Sequence, residues 1–234
     1  MLLRFIPLAT ASFICLPLFM PVTWSQSSQA DTVVYNNPQA GGPRRFQVTE
    51  HTDVRFYTAP STDATNVSIS DNSMVLNNLG CELTHDRVWC HIESLHTGIK
   101  AYTLSEFIVP AVGPDGIVPM GPDESSRQVR KGKFDAANNV SCAQVQGQSM
   151  HRCTARIARS GGGDASVVVT FSNGFSRTLF FTHGEFVSAN ATMSGVGNDT
   201  DWSMEDGFHY IRVDDQRYEI PHSFILGTPL KGID

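Results

Sequence analysis

Helical periodicity is missing from this chain of 234 residues. Beyond its apolar N-terminus, no segment sustains apolar residues at the 3.6-residue period that would lay one helix face on a core. That excludes helix bundles and alternating α/β architectures. Positive charge is also scarce. Lys and Arg number 17 against 23 Asp and Glu, for a net charge of −6. Phosphate binding needs clustered Lys and Arg, so a nucleic acid partner is not expected. With 19 Gly and 12 Pro, the chain is not collagen-like. With 41% hydrophobic and 17% charged residues, it is not disordered as a whole. No internal repeat is present.

Motifs that carry chemistry are missing as well. Gly161-Gly162-Gly163-Asp164 is glycine-rich, but it precedes a strand pattern and lacks the Lys-Ser/Thr of a phosphate loop. It reads as a flexible connection. Ser160 has no G-x-S-x-G elbow around it. Glu205-Asp206, Asp214-Asp215 and Glu219 sit near turns, where carboxylates bond their own backbone. They do not read as the facing pair a glycosidase needs. Asn198-Asp199-Thr200-Asp201 is rich in oxygen but lacks the length and closing Glu of an EF-hand. His85, His91 and His96 do not keep the even spacing that places ligands on one strand face. The expectation is therefore no catalytic residue, no metal and no cofactor.

What is present begins with a secretory signal. Arg4 precedes an apolar run from Phe5 to Trp24, and Ser28-Gln29-Ala30 offers small residues before Asp31. The run is long enough for a membrane span, which needs about 20 residues. Pro7, Pro17, Pro21 and the polar stretch after Trp24 favour cleavage, with no stable membrane insertion afterwards. Cutting after Ala30 removes Arg4 and no acid, taking the charge from −6 to −7. Of five cysteines, Cys15 leaves with the signal, and Cys81, Cys90, Cys142 and Cys153 remain. An even count in an exported chain implies disulfides. Three connectivities exist, and spacing favours the local pairs Cys81–Cys90 and Cys142–Cys153. The separations are too wide for zinc pairs, and Cys142 lacks a thiol-protease motif.

Alternating segments bounded by turn residues predict an all-β chain of two domains. Residues 31–45 read as a flexible lead-in, 46–110 as the first domain, and 111–131 as a linker. Residues 132–228 form a second β-rich domain, a meander or sandwich, with a tail at 229–234. Strands are expected near 46–49, 54–57, 66–69, 75–83, 88–93 and 99–103. In the second domain, Asn173-Gly174 predicts a two-residue hairpin loop. That register pairs Val169 with Thr178, Val168 with Leu179, and Val167 with Phe180. Further strands are expected at 186–189, 208–213 and 216–220, a polar loop at 190–201, and a helical turn after Pro221.

The first domain resembles bacterial SH3 domains. Val54-Arg55 followed by Pro60-Ser61 resembles their opening. Leu79-Gly80-Cys81 with Val88-Trp89-Cys90-His91-Ile92 resembles their central strand pair. Gly98 to Leu104 resembles their close, with Ala101-Tyr102 where Gly-Trp is usual. The resemblance covers 46–110 and implies an SH3-like small barrel that binds and does not catalyse. Its implied ligands are peptidoglycan, through a cell-wall peptide, or an envelope protein. Candidate ligand-binding residues are Arg55, Tyr57, His85, Trp89 and Tyr102. The second domain resembles uncharacterised regions that follow such modules in exported alphaproteobacterial proteins. The expected location is periplasmic or secreted. Two alternatives stand beside this reading. One is a cell-wall hydrolase targeted by its SH3 module. The other is an inhibitor or immunity-type protein whose second domain plugs a partner, with the 190–201 loop as the plug.

Overall fold

Alternation along one strand sets up the first sheet. In β5 (Arg87–Ser94), Val88, Cys90 and Ile92 face one side and Trp89, His91 and Glu93 the other. The computed structural model describes residues 33–49, 53–69, 75–191 and 199–227. The expected signal, most of the 190–201 loop and the tail lie outside the described residues. No described helix is long and apolar enough to cross a membrane.

The described chain is all-β. β1 (Arg45–Val48), β2 (Phe56–Tyr57), β3 (Asn66–Val67), β4 (Val75–Thr84), β5, β6 (Lys100–Leu104) and β7 (Ile108–Pro110) form one antiparallel sheet. Its order is β3-β2-β6-β5-β4-β1-β7. Phe56 near one end and Ile108 at the other share a core with Phe46, Leu76, Val88 and Ile92. The sheet therefore curls nearly into a barrel, which limits exposed edges. Cys81 lies directly opposite Cys90, and the two are disulfide-bonded.

The second sheet holds eight strands in the order β12-β11-β10-β9-β8-β15-β14-β13. They are β8 (Ala136–Ala143), β9 (His151–Gly161), β10 (Asp164–Thr170), β11 (Ser176–Thr182), β12 (Glu185–Ala189), β13 (Thr200–Glu205), β14 (Phe208–Val213) and β15 (Gln216–Pro221). Cys142 and Cys153 form the second disulfide, between β8 and β9. One face collects Ile157, Val167, Val169, Leu179, Phe181, Ile211 and Ile220 in a core. This sheet also rolls over that core. The Phe181 ring on β11 lies 5.2 Å from His209 on β14. Arg177, 1% exposed, reaches from β11 to Asp214 (3.0 Å) and Gln216 (2.9 Å) at the β14–β15 turn. The short helix α2 (His222–Leu226) adds Phe224 and Ile225 and stops at Gly227 in the left-handed region.

Four expectations are corrected. The β10–β11 register is Val167 with Leu179, Val168 with Thr178 and Val169 with Arg177. Gly174 takes φ +85° but Asn173 does not enter the left-handed region, so the loop has three residues, 172–174. Gly161-Gly162-Gly163 is not a flexible connection. Gly162 and Gly163, at φ +67° and +79°, make the tight β9–β10 turn. A Cβ on Gly162 would meet Pro119 at 2.4 Å, and one on Gly163 would meet the Gly184 nitrogen at 2.4 Å. The stretch read as lead-in is fastened to the first sheet. Tyr35 packs on Phe46 with ring centroids 5.2 Å apart, and its carbonyl accepts the Cys81 N–H. The stretch read as linker is a strap across both sheets. Pro119 accepts the Arg44 N–H, Asp115 accepts the Gly162 N–H, and α1 (Ser125–Arg130) sets Ser125 against Ser166 at 2.9 Å.

One carboxylate joins the sheets. Asp164 opens β10 and is 2% exposed. Its Oδ2 accepts Arg44 Nη1 at 2.7 Å and its Oδ1 accepts Arg45 Nη2 at 2.7 Å. Oδ1 also accepts the His183 N–H at 3.0 Å. Arg44 further donates to Gly121, Pro122 and Ser160. The described residues accordingly form one compact unit.

A second polar element lies inside the larger sheet. The Trp202 indole N–H donates to His209 Nδ1 at 3.0 Å. That leaves the proton of a neutral His209 on Nε2, 3.0 Å from His222 Nδ1, which accepts it. Burial, then the neighbouring His222, lowers the His209 pKa from 6.5 to about 4.

Two predictions follow from these polar groups. Asp164→Asn strands two buried guanidiniums and should destabilise the chain by about 3–5 kcal/mol. Urea unfolding would show it, and a change under 1 kcal/mol would refute the central role of the triad. The second concerns acid. The unfolded chain binds a proton at His209 that the folded chain refuses, so stability falls as pH drops below about 6.5. The loss grows until the folded pKa near 4, reaching about 3 kcal/mol. His209→Gln should flatten this part of the stability–pH curve.

Candidate functional site

The outward face of the first sheet carries the candidate site. Strand parity puts Trp89 and His91 on the same side of β5. Register then sets His91 opposite Tyr102 on β6, and Tyr102 opposite Tyr57 on β2. Trp89 lies between Glu82 and Leu104 in the adjacent row. Aromatic side chains thus run in a band across three strands.

The band has a buried part and an open part. Tyr57, Trp89 and Leu104 form a small cluster against Ala64 and Phe107. Tyr57 meets Trp89 edge to face, with centroids 5.5 Å apart and planes at 82°. Both are buried, at 7% and 3% exposure. Tyr102 and His91 are half-buried and stacked, with centroids 4.6 Å apart and planes within 12°. They flank a groove of about 250 Å³, lined also by Leu79, Gly80, Cys81, Glu82 and Trp89.

A β-bulge shapes the floor of that groove. The β4–β5 register shifts between Asn78 and Gly80, leaving Leu79 extra. Gly80 takes φ +117°, a backbone that side chains resist. Asn78, 3% exposed, pins the bulge. Its amide donates to the carbonyls of Asn36 and Pro43, each at 2.7 Å, and its Oδ1 accepts the Gly80 N–H at 2.8 Å.

Electrostatics favour a neutral stacking surface. Burial, then nearby Lys100, holds the His91 pKa below 6.5, against opposing pulls from Glu93 and Glu82. Near neutral pH the imidazole is uncharged and lies face to face with the Tyr102 ring. Glu82 supplies a carboxylate at the rim.

Of the five residues expected to bind ligand, Trp89 and Tyr102 line this groove, and Tyr57 buttresses it from beneath. Arg55 and His85 do not join them. Arg55 is exposed beside a separate depression lined with Phe56, Asn66 and Ile69, and its carbonyl accepts the Thr103 hydroxyl at 3.0 Å. His85 stands at the tip of the β4–β5 hairpin with φ 49°, followed by Asp86 with φ 61°. His91 was not among the expected ligand residues. Its shared parity with Trp89 was the available signal. Asn78 was also missed, and nothing local in the sequence marks an Asn as the pin of a bulge.

Among the described residues, Cys142, His151 and Cys153 have the spacing of metal ligands, within 4.8 Å of one another. His151 Nε2 lies 3.6 Å from one sulfur and 3.9 Å from the other. The sulfurs are bonded to each other. In this state neither is a thiolate, the form that binds metal.

No family model, no curated protein and no solved structure matches the chain.

Proposed function

We propose that the chain is an exported, non-catalytic binding protein of the bacterial envelope. Its first sheet acts as an SH3-like module and takes an extended peptide, of the cell wall or of a partner protein, along the groove beside Tyr102. The carrying observation is the stacked His91–Tyr102 pair on a groove of about 250 Å³. Flat, neutral faces suit peptide groups and apolar side chains, and each good aromatic contact contributes about 0.5–1.5 kcal/mol. The buried Tyr57–Trp89 pair beneath keeps the surface rigid, so little ordering entropy opposes binding. Glu82 would meet an amide N–H or an ammonium group of the ligand.

The groove lining favours binding over catalysis. Cys81 is held in a disulfide, and Glu82 has no nucleophile beside it in the lining. Two disulfides fit an oxidising compartment, which supports a periplasmic or secreted location.

Cosedimentation of the chain from Asp31 onward with purified peptidoglycan tests the proposal. Wild type should sediment with the wall and release no soluble fragments. Tyr102→Ala and His91→Ala should each weaken apparent affinity by up to about tenfold while keeping the wild-type melting profile. Fragment release would overturn the non-catalytic reading. Failure to sediment, with no envelope protein crosslinked through position 102, would overturn the assignment of the groove.

A further inference from the structure

The other sheet carries a second surface with a different chemistry. Its outward face is read from the register. Asp201, Arg212 and Arg217 form one row across β13, β14 and β15. Ser203, Tyr210 and Glu219 form the next, which continues through Ser141 to Arg152 on β9. Arg212 and Arg217 therefore sit directly opposite each other. Like charges in that relation are destabilising unless something neutralises them.

Only one of the two is neutralised within the described residues. Asp199 grips Arg212 with both oxygens, at 2.8 and 3.2 Å. Arg217 donates from Nη2 to the Gln148 carbonyl, but its Nε is buried without a hydrogen-bond partner. No described carboxylate pairs with it. The Arg152 side chain likewise has no hydrogen-bond or ion-pair partner among the described residues. Among the described residues, Arg217 and Arg152 thus stand without an ion pair on a face that also carries Asp201 and Glu219.

A cavity of about 320 Å³ lies at the same place, lined among others by Met150, Asp201, Tyr210, Arg212, Arg217 and Glu219, with Asp201 opposite Arg212 in the register. That size is at the lower end of small-ligand pockets. Tyr210 is 41% exposed and neighbouring Phe208 39% exposed. Arginine and exposed aromatics together are the composition of interface hot spots. A guanidinium fork matches a carboxylate in shape and charge. Tyr210 and Met150 offer an apolar wall beside it.

We infer that this face is a second binding site, separate from the barrel groove, for an acidic peptide segment of a partner protein. A carboxylate of that segment pairs with Arg217, and a neighbouring apolar side chain lies against Tyr210 and Met150. Charge complementarity selects this occupant. A neutral chain would leave the Arg217 charge uncompensated, and a basic one would add to it.

The test uses two synthetic peptides, Ac-ELELE-NH2 and its uncharged counterpart Ac-QLQLQ-NH2, each fluorescently labelled and titrated with the chain from Asp31 onward. Anisotropy should show at least tenfold tighter binding of the acidic peptide, weakening as salt rises. Arg217→Gln should remove most of that preference. Arg152→Gln, at an exposed side chain without partners, should reduce it by a smaller factor while leaving the fold intact. Tyr102→Ala should leave it unchanged, which separates this site from the barrel groove. Equal affinity for the two peptides would overturn the inference. So would a preference that survives both arginine substitutions.

Discussion

Asp164 is the constraint on which the rest of the molecule depends. Each sheet has its own apolar core, and neither core extends into the other. Besides the strap, the buried tie between them is polar: two adjacent arginines from the start of the first sheet on one aspartate at the start of β10. Two positive charges on one carboxylate leave an excess that must be spread. Arg44 spreads it over the carbonyls of Gly121 and Pro122, and Arg45 over that of Gly162. This explains the glycines beside Asp164. Carbonyls reach the guanidiniums only if the backbone comes close, and a Cβ on Gly113 would sit 2.3 Å from Gly162 Cα. The glycine run and the proline-rich strap are parts of one device that solvates a buried charge with main chain.

The same economy appears at the candidate groove. Barrel closure needs Val88, Cys90 and Ile92 inside, and this alone places Trp89 and His91 outside. The bulge at Leu79 then bends β4, and Asn78 satisfies the backbone groups it frees. The amide of Asn78 also reaches Asn36 and Pro43. One buried side chain thereby ties the segment before β1 to the floor of the groove. The groove is not an ornament on the barrel, because the residues that shape it also fasten the N-terminal segment.

Much of this was legible where a local rule decided it. Six strands of the first sheet follow from alternation and turn residues, while β7, a three-residue strand after a tight turn, does not; the pairs Cys81–Cys90 and Cys142–Cys153 follow from spacing. Other features escaped because long-range contacts decided them. Strand β8 holds Asn138 and Asn139, and β13 is polar nearly throughout, so neither presents an apolar alternation. The Asn-Gly signal located a hairpin but not its register, since Asn173 keeps negative φ and only Gly174 turns left-handed. Arg44, Arg45 and Asp164 fall in stretches read as a flexible lead-in and a flexible connection, because sequence carries no mark of a partner about 120 residues away. In the site, Trp89 and Tyr102 were visible as strand aromatics. Arg55 precedes β2, where alternation does not yet hold, and His85 belongs to a turn.

These features divide stability into two kinds of tie. The disulfides close separations of 9 and 11 residues. In the chain-entropy model, loops that short contribute about 2–3 kcal/mol each. Both lie within a single hairpin, so neither holds one sheet to the other. The long-range ties are ionic and hydrogen-bonded instead: Arg44 and Arg45 on Asp164 between the sheets, and Arg177 on Asp214 within the rolled one. Acid reaches the polar interior through its buried imidazoles and leaves the disulfides intact, because a disulfide does not titrate. The His183 imidazole beside this junction is held below its ordinary pKa by burial and by Arg45. Its protonation would set a third cation next to the pair that Asp164 already serves. Acid therefore acts first on the junction and on the roll of the larger sheet, while each disulfide-closed hairpin keeps its own register.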